Sequence, residues 1–483
     1  MNGLECSEIM LSNIDKIQYR FDAEFYRPYY INMLLQIESK ISKKISSMTI
    51  EVNCSAFYPS VTDIYDFNGN GIPFIRVNEI QKSLVNITEN TAFLPQDFLL
   101  NNSNTIDIVK PMDIVIAKSG NTLAKVGLVG YEYKEYATSR DIVTVHTSNV
   151  EENVIYILWA YLSSKYGQAV LWRSASQTGQ PHLTLKNILD VDMPAISESI
   201  GNNIKLLYER SRQKVFNANK LYKEAEQILL KALNMDNFVP SQQNTTTKSL
   251  SQFMNAGRLD AEYFQPKYDD IENKIKFLQE DKKSEYFTVN NIISEGNRVI
   301  KIEDKKEYKY IELSDIDNYG NVTDCTIDIG INLPSRARKE VHTGDVIVSS
   351  LEGSLQKCAI ITETFNGALV STGFHVIKSD EINSETLLLL FKSWFMQELM
   401  RKHSTGAIMA ATSDDSFKKI LLPVVKLDVQ EMIANKIQKS FELRAKSNEL
   451  LEAAKKAVEI AIEEDEETAM QYLEQFECVE KEV

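Results

Sequence analysis

The sequence lacks the features that would place it in a membrane or outside the cell. No apolar run approaches the roughly 18–20 residues that a membrane span needs, and the N-terminus has no basic region followed by an apolar stretch. The five cysteines are scattered, odd in number and without a C-x-x-C pair, which argues against disulfides and against a zinc site. These absences predict a cytoplasmic protein with no membrane segment.

Signatures of catalysis and of cofactor binding are also missing. The sequence contains no phosphate-binding G-x-x-x-x-G-K-[ST] loop, no G-x-G-x-x-G fingerprint and no Asn/Asp-Pro-Pro-aromatic tetrapeptide of the adenine methyltransferases. The five histidines lie far apart, and none has a His or Cys three or four positions away. We therefore expect a chain that catalyses no reaction and that holds no metal ion or other cofactor.

What the sequence does contain is a long internal repeat. RFDAEFYRPYY at 20–30 returns as RLDAEYFQPKY at 258–268, with six of the eleven positions identical. The match continues at 72–80 with 308–316 and at 109–117 with 341–349. Self-similarity over half a chain of 483 residues indicates one structural plan used twice, head to tail.

Each half predicts an α+β domain followed by a long helix. Residues 204–233 and 429–462 carry an apolar stripe with spacings that alternate between four and three, which is typical of a coiled coil. Arg444 interrupts the second stripe. The predicted helix-packing residues are Ile204, Tyr208, Val215, Tyr222 and Leu229 in the first helix, and Ile433, Ile437, Leu451 and Val458 in the second. We expect the two helices to pack antiparallel.

This order of parts resembles the specificity subunit of a type I restriction–modification enzyme. The resemblance covers the whole chain and rests on the doubled R-[FL]-D-A-E motif and on TGQPHLTLKNI at 178–188, which is similar to the family's G-Q-P-x-L segment. It implies an α+β fold of two tandem pseudo-symmetric target-recognition domains, with the two long helices packed as an antiparallel coiled coil. The implied boundaries are 1–199 and 237–427 for the domains, 200–236 and 428–467 for the helices, and 468–483 for an acidic tail.

The resemblance also implies a function and its partners. Each domain would recognise one half of a bipartite target in double-stranded DNA, and the helices would set the spacing and dock two DNA adenine methyltransferase (modification) subunits. Translocating restriction subunits are optional further partners. S-adenosylmethionine, Mg and ATP would be bound by the partner subunits and none of them by this chain.

Polar and basic side chains are the candidates for DNA contact, most of them on two loops that match between the halves, 118–125 with 349–357 and 173–180 with 401–406. Arg and Lys bond to guanine, Asn and Gln to adenine, and Ser and Thr to either. The candidates in the first half are Arg76, Lys118, Ser119, Asn121, Thr122, Lys125, Arg173, Gln177, Thr178, Gln180 and His182. Those in the second half are Ser349, Ser350, Ser354, Lys357, Arg401, Lys402, Ser404 and Thr405. Ordinary hydrophilic loops are the alternative; we favour DNA contact because both halves place glycine-containing polar loops at the same positions.

The net negative charge of the chain argues against DNA binding. The formal net charge is −15, and residues 463–483 alone contain nine acidic residues and one lysine. An acidic protein can bind DNA through one basic face, because charges farther apart than about 8 Å are screened at physiological salt. The charge and the interruption at Arg444 motivate an alternative function, a non-catalytic scaffold of another phage-defence complex that binds DNA weakly or not at all.

One loose pattern suggests a nuclease. Asp113 followed by Glu132 and Lys134 matches the D…E-x-K spacing in which two carboxylates hold a metal ion. The ordinary interpretation places Asp113 in a turn before a strand and the other two residues in a solvated hairpin. We favour the ordinary interpretation, because the second half keeps Asp345 but lacks the E-x-K. The acidic tail is expected to be a solvated, frayed helix end.

Overall fold

The structure is a computed structural model that describes residues 8–14, 20–176, 179–278, 287–295, 298–406 and 409–478. The helices are α1 (Pro28–Glu38), α2 (Gln96–Asn101), α3 (Glu152–Ser163), α4 (Lys165–Ser174), α5 (Leu185–Leu189), α6 (Glu198–Ala232), α7 (Leu250–Ala256), α8 (Pro266–Phe277), α9 (Val289–Ile292), α10 (Ser384–Lys392), α11 (Trp394–His403), α12 (Asp414–Phe417), α13 (Leu427–Glu463) and α14 (Glu466–Cys478). In these ranges no helix is long and apolar enough to cross a membrane.

The strands complete an α+β fold, which confirms the predicted class. They are β1 (Ile41–Lys44), β2 (Glu51–Cys54), β3 (Ile72–Ile75), β4 (Ile80–Gln81), β5 (Leu84–Val85), β6 (Phe93–Leu94), β7 (Ile108–Val109), β8 (Ile114–Ala117), β9 (Val126–Leu128), β10 (Tyr136–Thr138), β11 (Ile142–His146), β12 (Asp192–Pro194), β13 (Ser294–Glu295), β14 (Arg298–Val299), β15 (Glu307–Ile311), β16 (Thr326–Ile329), β17 (Ala337–Glu340), β18 (Val346–Ser349), β19 (Cys358–Ile360), β20 (Leu369–Ser371), β21 (Phe374–Lys378), β22 (Ser404–Thr405) and β23 (Ala411–Thr412).

The chain forms two compact units, the first made of residues 1–214 with 445–483 and the second of residues 215–444. The first unit is built on a six-stranded sheet of order β2-β11-β8-β9-β5-β4 and a four-stranded sheet of order β6-β3-β10-β7. All four residues of β8 are buried, and α3 packs against β9 with residues 155–162 buried on every side. This burial explains why both segments are continuous apolar runs in the sequence.

The second unit repeats this construction. It has a four-stranded sheet of order β13-β21-β18-β19 and a five-stranded sheet of order β14-β17-β20-β15-β16. The helix α10 packs against β18 and β19, as α3 packs against β9, and its residues 386–391 are buried. The sequence match at 109–117 and 341–349 therefore falls on equivalent elements, because β8 and β18 lie at the same place in their sheets.

The strand registers of the two units agree residue by residue. Each antiparallel pair around β18 lies 232 positions after its counterpart around β8. The pairs are Ile114 with Val145 and Ile114 with Leu128 in the first unit, and Val346 with Ile377 and Val346 with Ile360 in the second. Register is fixed by which face of a strand is buried, so the repeat extends from the sequence to the backbone hydrogen bonds.

Parts of both long helices belong to each unit, and the apolar stripes are their buried faces. Eight of the nine predicted packing residues are buried, and Val215 is half-buried. In the first unit the Ser211 hydroxyl lies 2.7 Å from the Ser447 hydroxyl. In the second unit the Ser440 hydroxyl donates to the Ala218 carbonyl at 2.9 Å. Small polar residues thus occupy stripe positions at which the two helices approach closely.

Within the second unit the two helix segments run antiparallel, because Asn219 contacts Arg444 and the later Glu224 contacts the earlier Lys436. The interruption at Arg444 is accommodated. Its guanidinium donates to the Asn219 side-chain oxygen at 2.6 Å and lies 3.2 Å from the ring centroid of Tyr319. A cation on an aromatic face and a hydrogen bond replace the apolar contact that the stripe would predict here.

The prediction of a solvated, frayed end for the acidic tail is wrong for residues 466–478. These residues form α14, in which Ala469 and Leu473 are buried in the core of the first unit. Glu466 accepts a hydrogen bond from the Ser197 backbone amide at 2.9 Å, and Arg210 donates to the Phe476 carbonyl at 3.1 Å. The many acidic residues suggested a solvated segment, but the segment is a short amphipathic helix whose two buried apolar residues lie four positions apart.

A substitution in the buried stripe tests this packing. Ile437 is 0% exposed, so Ile437→Ala leaves a cavity and is expected to lower the free energy of unfolding of the second unit by about 2–5 kcal/mol. Met432 lies on the same helix and is 52% exposed, so Met432→Ala should change it by less than about 0.5 kcal/mol. Urea unfolding of both variants followed by circular dichroism measures this, and equal effects of the two substitutions would contradict the assigned face.

Candidate nucleic-acid interface

The repeated motif fastens the start of the first unit to the end of α4. The Arg20 guanidinium donates to both carboxylate oxygens of Asp22, at 2.6 and 2.9 Å. Its remaining donors reach the carbonyls of Ser174, at 3.3 Å, and Ala175, at 3.0 Å. The hydrogen bond from Arg20 is the largest cause that lowers the pKa of Asp22 below its usual value. The arginine therefore neutralises one carboxylate and satisfies carbonyls that have no partner within the helix.

The second copy of the motif makes the same contacts in the second unit. Arg258 donates to both oxygens of Asp260, at 2.7 and 2.9 Å. It also donates to the carbonyls of Lys402, at 3.1 Å, and Ser404, at 3.2 Å, where α11 ends. In both units the motif thus holds the point at which the second predicted DNA-contacting loop leaves its helix.

The two predicted loops of the first unit lie side by side. The Gly120 amide donates to the Pro181 carbonyl at 3.3 Å, and the Leu183 amide donates to the Lys118 carbonyl at 2.8 Å. Gly120 has φ +69°, and a Cβ there would lie 2.8 Å from the Gln180 side-chain nitrogen. Glycine therefore permits both the left-handed turn and the close approach of Gln180.

The loops together form an open polar groove, lined by Ser119, Asn121, Thr122, Asp141 and Gln180. Hydroxyl and amide groups dominate this lining, and they are the groups that hydrogen-bond to base edges. Asn121 and Gln180 are exposed. The groove can therefore present two amides, the side-chain type that pairs with adenine, from two different loops.

The corresponding loops of the second unit also meet. The Glu352 amide donates to the Ala410 carbonyl, and the Thr412 amide donates to the Ser350 carbonyl, both at 2.9 Å. The backbone arrangement is thus shared, while the side chains differ. Glu352 is exposed, so the second unit presents a carboxylate near the place where the first presents Asn121.

The predicted DNA-contacting residues differ in accessibility. Those that are exposed are Asn121, Lys125, Gln180 and Thr405. Those that are half-buried are Arg76, Lys118, Ser119, Thr122, Arg173, His182, Ser354, Lys357 and Arg401. Gln177 and Thr178 lie outside the residues that the structure describes. For the exposed and half-buried residues, contact with DNA stays a prediction.

Four predicted residues are buried, namely Ser349, Ser350, Lys402 and Ser404. The Ser350 hydroxyl donates to the Gly373 carbonyl at 2.8 Å, and the Lys402 ammonium pairs with Glu272. These four side chains have almost no surface with which to reach a base, so their burial argues against DNA contact, which stays a prediction for them as well. Their polar groups make hydrogen bonds and ion pairs within the protein.

Several half-buried cations also support the loops. Arg173 donates to the Phe25 carbonyl at 2.9 Å and lies 3.6 Å from the ring centroid of Phe25. Lys357 donates to the Ile316 carbonyl at 2.6 Å, and burial lowers its pKa. Arg401 pairs with Glu398 on its own helix. A basic residue in a polar loop is therefore weak evidence for DNA contact until its internal partners are known.

The structure places two further residues beside the groove that the sequence did not single out. Tyr58 and Arg140 line a pocket that shares Val77 and Asp141 with the polar groove. By the shared register of 232, the counterpart of Arg140 is Thr372, and Arg140 lies outside the two matched loops, so the repeat gives no sequence signal for it.

The residues of the nuclease pattern have internal partners. Asp113 is buried and accepts hydrogen bonds from the Thr147 amide at 2.9 Å and from His146 Nδ1 at 3.1 Å. Glu132 pairs with Arg212. Among the described residues there is no group of three or more His, Cys, Asp and Glu side chains that could hold a metal ion. Asp113 and Glu132 therefore have structural contacts that the D…E-x-K pattern does not require.

His146 lies between two carboxylates. Its Nε2 is 3.1 Å from Asp107 and its Nδ1 is 3.1 Å from Asp113. The hydrogen bonds to Asp107 and then to Asp113 raise the pKa of His146 to about 10. Burial raises the pKa of Asp107, but hydrogen bonds from His146 and Thr144 outweigh it and lower the pKa overall. The imidazole is therefore a cation at neutral pH.

The second unit gives its matching carboxylate a different cation. Asp345 is buried and accepts from Arg298 Nη1 at 2.8 Å. An arginine side chain is a cation in proteins at any pH. The two units thus neutralise equivalent buried carboxylates with a histidine in one case and with an arginine in the other.

This difference predicts a pH dependence of stability. The pKa of His146 is about 10 when folded and about 6.5 when unfolded, so its contribution is complete below pH 6.5 and is lost as the pH rises through 10. Consequently, His146→Gln should lower the free energy of unfolding more at pH 6 than at pH 9.5. The control Arg298→Gln should lower the free energy of unfolding by the same amount at both pH values. Urea unfolding of both variants and of the wild type at pH 6 and pH 9.5 measures these changes. A cost of His146→Gln that does not change with pH would contradict the pairing.

The chain is similar to solved structures of restriction–modification proteins. No protein-family model and no curated protein matches the chain. A solved structure that is similar to it is the type I restriction–modification S subunit from M. genitalium, at 12% identity over 90% of this chain and 96% of that one, with a TM-score of 0.37. The HsdS subunit from Thermoanaerobacter tengcongensis is similar at 12% identity over 88% and 96% of the two chains, with a TM-score of 0.26. The type IIG restriction endonuclease BpuSI matches at 13% identity over 38% and 28%, with a TM-score of 0.30. The similar solved structures thus include type I S subunits, at TM-scores too low to establish a shared fold.

Proposed function

We propose that this chain is a DNA sequence-specificity subunit of a type I restriction–modification complex, in which each unit recognises one half of a bipartite target. The observation that carries the proposal is the doubled arrangement of loops. In both units the repeated Arg–Asp motif holds the end of a helix, and the loop that follows lies against the loop after β8 or β18. Two equivalent frames with different exposed side chains suit two different half-sites.

The loops have a fixed backbone and exposed polar side chains, and this combination supports DNA recognition over a purely structural role. Base recognition needs side chains held within a narrow range of positions by a rigid scaffold. Here the loops are fixed by backbone hydrogen bonds and by buried hydroxyls, while Asn121 and Gln180 stay exposed.

The two long helices are proposed to form the spacer between the two readers, as an antiparallel coiled coil. Their buried stripes, the contact between the Ser211 and Ser447 hydroxyls and the hydrogen bond from Ser440 to the Ala218 carbonyl support close packing. The same helices would dock two DNA adenine methyltransferase subunits, which bring S-adenosylmethionine, and restriction subunits with Mg and ATP could join them. The chain itself would need no cofactor and would catalyse neither methyl transfer nor cleavage.

Two observations motivated the scaffold alternative. The interruption of the stripe at Arg444 no longer supports it, because Arg444 has a hydrogen bond and an aromatic partner there. The net charge of −15 still supports it. Part of that charge lies on α14, outside the residues that line the groove. An acidic chain is expected to depend on its partner subunits for phosphate contacts and for most of its non-specific affinity.

Lengthening the spacer tests the proposal. We would insert four residues into each long helix at the unit boundary, after Lys214 and after Arg444, so that both partners of the coiled coil grow by the same length. Four residues add about 6 Å of helix, which equals at most about two base pairs at 3.4 Å each. The modified target should keep both half-sites and gain one or two base pairs of spacer, as determined by methylome sequencing of cells that carry the variant and its modification partner.

The matched control inserts the same four residues only after Lys214. The two stripes then lose their register, and the variant should lose binding instead of changing its spacing. A doubly lengthened protein that modifies new half-sites at the old spacing would contradict the role of the helices as the spacer.

A further inference from the structure

We infer that Arg140 is a specificity-determining residue of the first unit and that it recognises guanine in the half-site of that unit. The inference rests on the proposed function and extends it to one side chain and one base. It starts from the pocket next to the polar groove, which is lined by Tyr58, Tyr65, Arg76, Ser139 and Arg140. The pocket and the groove share Val77 and Asp141, so they form one continuous surface.

Arg140 is held on an aromatic side chain that is itself open to solvent. The carbon at the centre of its guanidinium lies 5.5 Å from the ring centroid of Tyr58, and Tyr58 is 74% exposed. Arg140 also donates to the Tyr58 carbonyl at 3.4 Å. Contact with the ring restricts the orientation of the guanidinium, so Arg140 presents its remaining donors with less loss of freedom than an unsupported arginine would.

The charge on Arg140 is not neutralised internally. It is exposed, and it forms no ion pair with any residue of the described ranges. Arg76, the other arginine of the pocket, pairs with Glu79 at 2.7 Å and donates to the Asn90 carbonyl at 3.2 Å. In a chain with 68 acidic and 53 basic residues, an unpaired arginine beside a polar groove is a site for an external acceptor.

The chemistry of the surroundings favours a base over a phosphate. Ser139 lines the pocket, and its hydroxyl, which is buried behind the pocket surface, has no hydrogen-bond partner among the described residues. The ring of Tyr65 and the phenylalanines Phe57 and Phe74 provide apolar walls. A phosphate would be recognised by several cations, whereas one fork of parallel donors beside hydroxyl and aromatic groups matches guanine, whose O6 and N7 accept from a single arginine.

The second unit provides an internal control. The residue at the position of Arg140 is Thr372, whose amide donates to the Arg336 carbonyl at 2.9 Å. Thr372 cannot form the bidentate contact. The consequence is that substitution of Arg140 should alter one half of the target and leave the half that belongs to the second unit unchanged.

The experiment compares wild type, Arg140→Ala, Arg140→Lys and the control Lys134→Ala, each purified with its modification partner. Arg140→Lys keeps the charge but loses the fork, and Lys134→Ala removes an exposed cation of the same unit that does not line the pocket. Methylome sequencing gives the target, and gel shifts at several salt concentrations give the affinity. All four proteins should melt at the same temperature, because neither residue is buried.

We expect a guanine in one half-site of the wild-type target to become degenerate in Arg140→Ala and less strictly required in Arg140→Lys, whose ammonium can still bond to guanine but lacks the fork, with the other half-site retained. Affinity for the wild-type target should fall about 5- to 150-fold, and the control should keep the target. A uniform loss of affinity for all sequences, with a salt slope lower by about one and an unchanged target, would show a phosphate contact and overturn the inference. Unchanged affinity and target would overturn it as well. A wild-type complex that modifies no defined sequence would instead reject the proposed function itself.

Discussion

The paired arginine and aspartate of the repeated motif are the interaction on which both units depend. One guanidinium makes two parallel hydrogen bonds to a carboxylate and uses its remaining donors on the carbonyls at the end of a helix. Hydrogen bonds to charged groups contribute about 1.5–3 kcal/mol each. Lysine could not replace the arginine, because its single ammonium lacks the planar fork that spans both acceptors. A motif of so few residues therefore fixes where the helix ends and where the following loop begins.

The two units show which parts of this frame can change. The strand registers agree, yet the buried carboxylates Asp113 and Asp345 have a histidine in one unit and an arginine in the other. A close-packed core tolerates such an exchange when the new cation reaches the same carboxylate. The exposed loop side chains differ more freely, since only their backbone hydrogen bonds enter the frame. The two units of the chain thus share a backbone scaffold and differ in the side chains that they expose.

The sequence predicts the long helices and the fold class well, because the spacing of apolar residues along the chain follows from which residues are buried. The stripe that contains Ile204 and Ile437 is visible as a heptad pattern, and the α+β class follows from short apolar runs alternating with helical segments. Pairing between distant side chains leaves no such pattern. Arg173 and Lys402 are basic, as residues that contact DNA often are, but their side chains bond to Phe25 and Glu272 within the protein. Arg140 has no signal in the sequence, because the side chain that orients it, Tyr58, is 82 positions away and its counterpart in the second half is not basic.

The central claim is that one chain carries two separate readers of DNA sequence. Methylome sequencing of cells that express the wild-type chain with its modification partner tests this most directly. The account predicts a bipartite target, in which two short specific half-sites are separated by a spacer of fixed length and unspecified sequence. A single continuous target, or methylation without sequence preference, would contradict it.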